Sequence, residues 1–352
     1  MFNAYEHGIL VSPVTRKMLR REGDKLHTLD HTESYPVVND VPILLTGGAS
    51  ADWHREIMEV LLWQFPEKIS ELYTKLDWSK SPSDVYIQYI GDLLKDKAGI
   101  MSAIRSYSQE STDKWIIRDN GAGPLTPDVI AAFERRNSKK FARATVKSAR
   151  HNGIKKWAKH LPKYVELVHR SNPSFIAEIS TGSGFGTAAV ADKLSPGCTM
   201  FTVDIGFDCH GNSVSIAKHL KISDKLLPVC ANFWHLPFKS ESMDVVCSHF
   251  GLDESRENGR TLAEIARVLK KGGRFVNVSR SDASQRQFDL FEPFGFTREE
   301  TVGLMKVARL YGDTKSLEEE CTAYGLTPRE SFEFHSSGAR TRRVTVSVMV
   351  RE

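Results

Sequence analysis

The chain has 352 residues, of which 40% are hydrophobic and 26% charged, with a formal net charge of +4. This is the composition of a folded globular protein; it excludes wholesale disorder, and the length allows two or three domains or one α/β unit with attachments. So mild a charge does not by itself call for nucleic acid or a membrane.

Residues 8–45 read as a small β-rich unit. Short apolar runs, Ile9-Leu10-Val11, Tyr35-Pro36-Val37-Val38 and Val41-Pro42-Ile43-Leu44-Leu45, are separated by the polar turns Glu22-Gly23-Asp24 and Asn39-Asp40. Gly47-Gly48-Ala49-Ser50 has linker composition. From 52 the period becomes helical. Ile57, Val60, Leu61, Gln64 and Phe65 share one face, Ile69, Leu72, Tyr73 and Leu76 another, and Pro66 separates them. A further helix is expected over 84–96, and Asp119-Asn120-Gly121-Ala122-Gly123 reads as a turn.

Residues 137–163 are basic, with Lys139, Lys140, Arg143, Lys147, Arg150, Lys155, Lys156, Lys159 and Lys163. A solvated helix face is the plain reading of such a run, and contact with RNA phosphates the alternative. Ile154, Trp157, Leu161, Tyr164, Val165 and Val168 then mark an amphipathic helix that stops at Ser171-Asn172-Pro173.

Beyond 173, strands and helices alternate. Strands are expected at Phe175–Ile179, Thr199–Val203, Leu226–Cys230, Met243–Ser248 and Arg274–Ser279, and helices near 186–194, 212–220 and 260–271. Phe332–His335 and Val344–Val350 read as a closing hairpin. Such alternation predicts an α/β fold with a mostly parallel sheet and helices on both faces.

The segment that carries chemistry is Glu178-Ile179-Ser180-Thr181-Gly182-Ser183-Gly184-Phe185-Gly186-Thr187. It leaves an apolar strand and opens a helix. Glycines at 182, 184 and 186 permit a sharp turn and close approach of a ligand to the backbone. The spacing is G-x-G-x-G, one residue short of the dinucleotide fingerprint. Glu178 would repel a pyrophosphate and attract a cationic amine. Asp204 closes the second strand, where a carboxylate can accept two ribose hydroxyls. After the third strand, Asn232 and Phe233 offer a polar edge and a ring to a purine. Ser248, His249 and Phe250 end the fourth, and Arg267-Val268-Leu269-Lys270-Lys271-Gly272-Gly273 leads into the fifth.

These five elements, in this order, resemble the class I S-adenosylmethionine-dependent methyltransferases over about residues 154–352. The resemblance implies a Rossmann-like seven-stranded sheet and S-adenosylmethionine as cofactor. It places Glu178, Thr181, Gly182, Gly184 and Gly186 around the methionine part, Asp204 at the ribose, and Ile205, Asn232 and Phe233 at the adenine. Ser248, His249 and Phe250 would lie under the methyl group. Asn232 stands where the family often has Asp, and Gly206–Gly211 looks like a short insertion. His249 is the one candidate general base; a packing role is the plainer reading of a lone histidine at a strand end, and the catalytic residue stays unnamed.

Leu10–Thr15 and Tyr35–Leu45 are similar to the zinc-ribbon-like domain that serves as a methyltransferase activator. Ser12 and Thr15 stand where metal-binding members have cysteine, so no metal is expected. The expected division is a β unit at 1–48, a helical cap governing acceptor specificity at 49–153, and the cofactor-binding domain at 154–352.

The functional expectation is methyl transfer to oxygen or nitrogen of a small molecule. RNA is the alternative acceptor, with 139–163 tracking phosphates; a non-catalytic partner-binding role is a second alternative. A homodimer is left open. Cys198, Cys209, Cys230, Cys247 and Cys321 form no C-x-x-C pair, which fits a reducing compartment. With no leader pattern and no run of ~20 apolar residues, a cytoplasmic protein without a membrane partner is expected.

Overall fold

A computed structural model describes residues 8–45, 125, 127–152, 158–252, 258–280, 295, 297, 299, 314–335 and 343–352. The helices expected over 57–65, 69–76 and 84–96, the linker at 47–50, the turn at 119–123, and Ile154, Lys155, Lys156 and Trp157 lie outside the described residues.

The N-terminal unit is a four-stranded antiparallel sheet in the order β1 (Leu19–Glu22), β2 (Lys25–Thr28), β3 (Ser34–Val38), β4 (Val41–Pro42). Its expected polar turns make the hairpins. Asn39 and Asp40 both take positive φ (50° and 61°) between the paired residues Val38 and Val41. Positive φ at both central positions matches the right-handed twist of the flanking strands. Ser12 is fully buried at the head of this unit. Its hydroxyl accepts the Val14 and Thr15 N–H groups and donates to Glu33, whose carboxylate also accepts the Tyr35 hydroxyl at 2.7 Å.

This unit is sewn onto the larger one. Val11 N–H donates to Pro237 O and Lys239 N–H to Ile9 O, at 2.9 and 2.8 Å. Ile43 makes a parallel bridge to Cys230, and Leu44 N–H donates to Cys230 O, so the small unit caps an otherwise open sheet edge. Arg16 donates to Leu236 O and pairs with Glu264, which Arg267 also grips.

The larger unit has seven strands: β5 (Phe175–Ile179), β6 (Thr199–Asp204), β7 (Leu226–Cys230), β8 (Met243–His249), β9 (Leu269–Arg280), β10 (Leu326–His335) and β11 (Arg343–Arg351). Their order is β10-β11-β9-β8-β5-β6-β7; β11 runs antiparallel to β10 and β9, and the other strands run parallel to one another. The helices are α1 (Pro127–Arg136), α2 (Lys139–Asn152), α3 (Leu161–His169), α4 (Phe185–Ala191), α5 (His210–Leu220), α6 (Asn258–Val268) and α7 (Thr314–Ala323). The fold is the expected α/β, Rossmann-like sheet. No described helix is long and apolar enough to cross a membrane.

The central strands are buried on both faces, so they read in sequence as continuous apolar runs. One core layer sets Phe201, Phe238, Leu262 and Ile265 against Leu10 and Leu44 of the small unit; the other sets Tyr164, Val190, Ile216 and Val276 together. Helix α2 turns Ala142, Val146 and Ala149 inward and leaves Lys139, Lys140, Arg143, Lys147 and Arg150 exposed.

Two details depart from the sequence expectation. The glycine pair 272–273 lies inside β9 rather than ahead of it. Gly272 has φ 75°, and the register against β8 jumps from Met243↔Leu269 to Val245↔Arg274, an irregularity that glycine accommodates. Residues 206–211 form a 3-10 turn (Phe207–Cys209) and the start of α5, all buried. Helix α1 docks there: Phe207 stacks on Phe133, and Arg136 pairs with Asp208 at 2.9 Å. A Cβ on Gly211 would sit 2.3 Å from Phe133 O, so the helices can meet only at a glycine.

Candidate active site at the strand-order switch

Strand β5 has β6 on one side and β8 on the other, and the chain's winding reverses across it. In open α/β sheets the crevice beyond the carboxyl ends at such a point is where ligands bind. Glu178, Asp204, Asn232 and His249 lie at or just beyond the carboxyl ends of β5, β6, β7 and β8.

The loop between β5 and α4 has Ser180, Gly182 and Gly184 at φ 56°, 47° and 75°. It is pinned from two sides. Asp204 accepts the N–H of Gly182 on one oxygen and that of Gly206 on the other, both at 2.8 Å. From α5, the Asn212 side-chain amide donates to Gly182 O at 2.9 Å. The three glycines have different steric duties. A Cβ on Gly182 would meet nothing within 4 Å, whereas one on Gly184 would lie 2.9 Å from Ile216 Cδ1. On Gly186 it would collide with His249 Cβ at 2.7 Å and Glu178 Oε1 at 2.8 Å. Gly186 thus allows the carboxylate and the imidazole to close on the helix start.

Glu178 is 1% exposed, and its Oε2 accepts the Thr187 hydroxyl at 2.5 Å. Among the described residues it has no ion pair. Burial pushes its pKa up to about 8, with the nearby Asp204 adding to the rise. Burial also raises Asp204, to about 6, although its two backbone donors oppose this. Two carboxyls in the dry end of a sheet, with no lysine or arginine paired to Glu178, form a site that gains from a cation.

The remaining predicted residues divide by environment. Asn232 accepts the Trp234 N–H at 2.9 Å, which caps a 3-10 turn, Phe233–His235, and leaves its side-chain NH2 as donor. Phe233 and Ile205 are partly buried. Ser248 is fully buried, and its hydroxyl accepts the Leu252 N–H at 3.0 Å, closing the turn after β8. Thr181 Oγ1 and Asn212 Oδ1 are buried without a hydrogen-bond partner beside the loop. Asn212 was not singled out from the sequence; its signal is a polar residue on the otherwise packed face of the helix after β6.

His249 belongs to an aromatic cluster. Its Nε2 lies 3.0 Å from His160 Nε2, with the two rings stacked at 5.2 Å. Tyr164, Phe185 and Phe250 surround it at 5.6, 5.8 and 4.5 Å between centroids. His160 was absorbed into the basic run in the sequence, and its partner is 89 residues away, beyond any local pattern.

Residues 177–277 match the profile of a family described as "Methyltransferase domain". This segment of the chain is similar to the methyltransferase domains of that family. It runs from inside β5 to inside β9 and holds the loop, Asp204, Asn232 and His249. The chain is 30% identical over 123 residues to a demethylmenaquinone methyltransferase of Lactiplantibacillus plantarum, covering 34% of this chain and 50% of that one. To the Lactococcus lactis protein of the same name it is 29% identical over 181 residues, 47% of this chain and 69% of that one. A malonyl-[acyl-carrier protein] O-methyltransferase of Marinomonas is 24% identical over 162 residues, 46% and 57% of the two chains. The chain thus spans about half the length of the first of these relatives. The N-terminal sheet and helices α1 and α2 lie outside the matched methyltransferase domain.

Proposed function

We propose that the protein is an S-adenosylmethionine-dependent methyltransferase acting on oxygen or nitrogen of a small-molecule acceptor. The observation that carries this reading is the buried Glu178 carboxyl, without an ion-pair partner among the described residues, at the head of a glycine loop whose Gly182 faces open space. A cationic ligand amine there would hold Glu178 ionised and offset its desolvation.

The residues present fit the cofactor. Glu178, Thr181 Oγ1 and the loop backbone would hold the amino-acid end. Asp204 would meet the ribose through the lone pairs its two N–H donors leave. The Asn232 amide, with Phe233 and Ile205, would bound the adenine. The cofactor, when bound, supplies a methyl group activated by a sulfonium. The chain's own work is to align the acceptor with that methyl and to exclude water, which the packed aromatic ends of β8 and α3 favour. The relatives' names, demethylmenaquinone and malonyl-[acyl-carrier protein] methyltransferase, support a small-molecule or carrier-bound acceptor over RNA.

The N-terminal sheet is read as a zinc-ribbon-like unit in which Ser12 and Thr15 stand where metal-binding members have cysteine. The Ser12 hydroxyl gathers the N–H groups that a thiolate would gather, and Glu33 and Tyr35 close the knot. Its bonds to residues 236–239 and Cys230 reach the segments that flank Asn232.

The test is mass-spectrometric detection of S-adenosylhomocysteine formed from S-adenosylmethionine. Demethylmenaquinone, a malonyl-carrier-protein thioester and bulk RNA are offered in parallel. Turnover with either of the first two supports the proposal. Turnover with RNA alone replaces it by the RNA reading, and cofactor binding without turnover on a wide acceptor panel favours a partner-binding role.

A further inference from the structure

Both backbone groups of Gly182 are held by side chains from other elements. Its N–H donates to Asp204 Oδ2 of β6 at 2.8 Å, and its C=O accepts the side-chain amide of Asn212, the third residue of α5, at 2.9 Å. Only the NH2 end of an amide can donate to a carbonyl, so this contact fixes which way the Asn212 side chain is turned. Its Oδ1 is left fully buried without a hydrogen-bond partner. A buried amide oxygen without a donor is unfavourable, so the clamp holds the loop at some cost to stability.

The clamp also orients the other side of the same peptide. The Gly182–Ser183 peptide is trans, so its C=O and N–H point in opposite directions. With the carbonyl drawn to α5, the Ser183 N–H faces away from α5. Gly182 has open space where a Cβ would stand, Ser183 is exposed, and the Ser183 N–H makes no hydrogen bond among the described residues. Asn212 is itself firmly placed. The preceding Gly211 lies against Phe133 O of α1, and Asn212 Cβ is 3.2 Å from where a Cβ on Gly184 would stand.

We infer that Asn212 is the positioning residue that turns the Ser183 N–H toward the ligand, and that this N–H is the donor for the α-carboxylate at the cofactor's amino-acid end. The inference rests on the methyltransferase reading for the identity of the ligand. It gives the loop two poles for a zwitterion, Glu178 for the ammonium and the Ser183 N–H for the carboxylate. A fixed N–H suits the second part because it offers a carboxylate a strong hydrogen bond without a side-chain cation that would repel the neighbouring amine. Glycine at 182 permits either orientation of the peptide. Without the clamp the carbonyl is free to take the place of the N–H, where it would repel the carboxylate.

Calorimetry of the full chain with S-adenosylmethionine and with its decarboxylated form, which keeps the amine and the sulfonium, tests both halves of the inference. Wild type should bind the decarboxylated form roughly tenfold or more weakly, the effect of losing one hydrogen bond to a charged group. Asn212→Ala should lose a similar factor for S-adenosylmethionine and almost nothing for the decarboxylated form; a merely structural role would weaken both ligands alike. Gly182-Ser183 is the one Gly-Ser step in the sequence, so glycine labelled with 13C at its carbonyl and serine labelled with 15N give a single NMR signal for this peptide. Its amide proton should move downfield when wild type takes up S-adenosylmethionine and not when it takes up the decarboxylated form. Circular dichroism checks that Asn212→Ala is folded. Equal affinity of wild type for the two ligands overturns the proposal whatever the variant does, and so does equal weakening of both in folded Asn212→Ala. Wild type that binds neither ligand removes the methyltransferase reading and this inference with it, an outcome distinct from binding both equally.

Discussion

The Asp204 carboxylate accepts the backbone N–H of Gly182 at 2.8 Å, so the end of the second strand of the parallel unit holds the glycine loop that leaves the first. Its other oxygen holds Gly206 at the same distance. Asp204 therefore shapes the crevice before any ligand arrives, and its effect on binding cannot be separated from its effect on the loop by simple deletion.

Replacing Asp204 shows this coupling. Asp204→Ala leaves two buried N–H donors without a charged acceptor, at a cost of about 2–4 kcal/mol. Asp204→Asn keeps one acceptor and should lose about half as much. Urea unfolding and cofactor titration, run side by side, should show both quantities falling in the order wild type, Asn, Ala. Binding lost with stability untouched would confine Asp204 to ligand contact.

The glycines differ as probes. Gly184→Val would drive a side chain into Ile216 and Asn212, so it should perturb α5 and the fold as well as the site. Gly182→Ala meets open space and carries only the strain of φ 47°, about 1 kcal/mol. It should stay folded and bind S-adenosylmethionine at least tenfold more weakly by calorimetry. Equal affinity in Gly182→Ala would place the ligand elsewhere.

Stability should fall on both sides of neutrality. Glu178, near 4.5 when unfolded and about 8 when folded, stabilises the fold below pH 4.5, and that contribution is lost as pH rises toward 8. His160 and His210, near 6.5 unfolded and about 4 folded, behave oppositely: their contribution is present above pH 6.5 and lost as pH falls toward 4. Glu178→Gln should therefore be more stable than wild type at pH 9, by on the order of a few kcal/mol of unfolding free energy, and close to wild type at pH 5. It should also weaken cofactor binding. A variant less stable at pH 9 would mean that Glu178 is ionised and satisfied in the free protein.

Arg16 links the two sheets through Leu236 O at 2.9 Å and Glu264 at 3.1 Å, on a side chain about one-third exposed. Arg16→Ala should cost about 1–2 kcal/mol and expose residues 8–45 to protease first. Uniform proteolysis, with no early release of the N-terminal unit, would contradict that docking role.

The parallel strands were legible because burial on both faces makes them near-unbroken apolar runs: Leu226–Cys230 was read with its observed bounds. Strand β10 was read only in its last four residues. As an edge strand it alternates exposed and half-buried positions and passes through Pro328 at a bulge, so Leu326–Ser331 carries little apolar signal. Residues 206–211, rich in Gly, Asp and His, carry no helical signal in sequence; the docking of α1 that buries them is a tertiary event. Glu178, Asp204 and the glycines could be picked out because each sits at a strand end with a chemical reason. The division of labour between Gly182 and Gly186, the Asn212 clamp and the His160–His249 pair depend on long-range contacts that no local spacing encodes.

The most direct test of the central claim is calorimetric titration of the purified chain with S-adenosylmethionine and S-adenosylhomocysteine, with NAD as control. The account predicts micromolar binding of the first two, weakened at least tenfold in Gly182→Ala, and none of NAD. Binding of NAD in their place, or of none of the three, would contradict it.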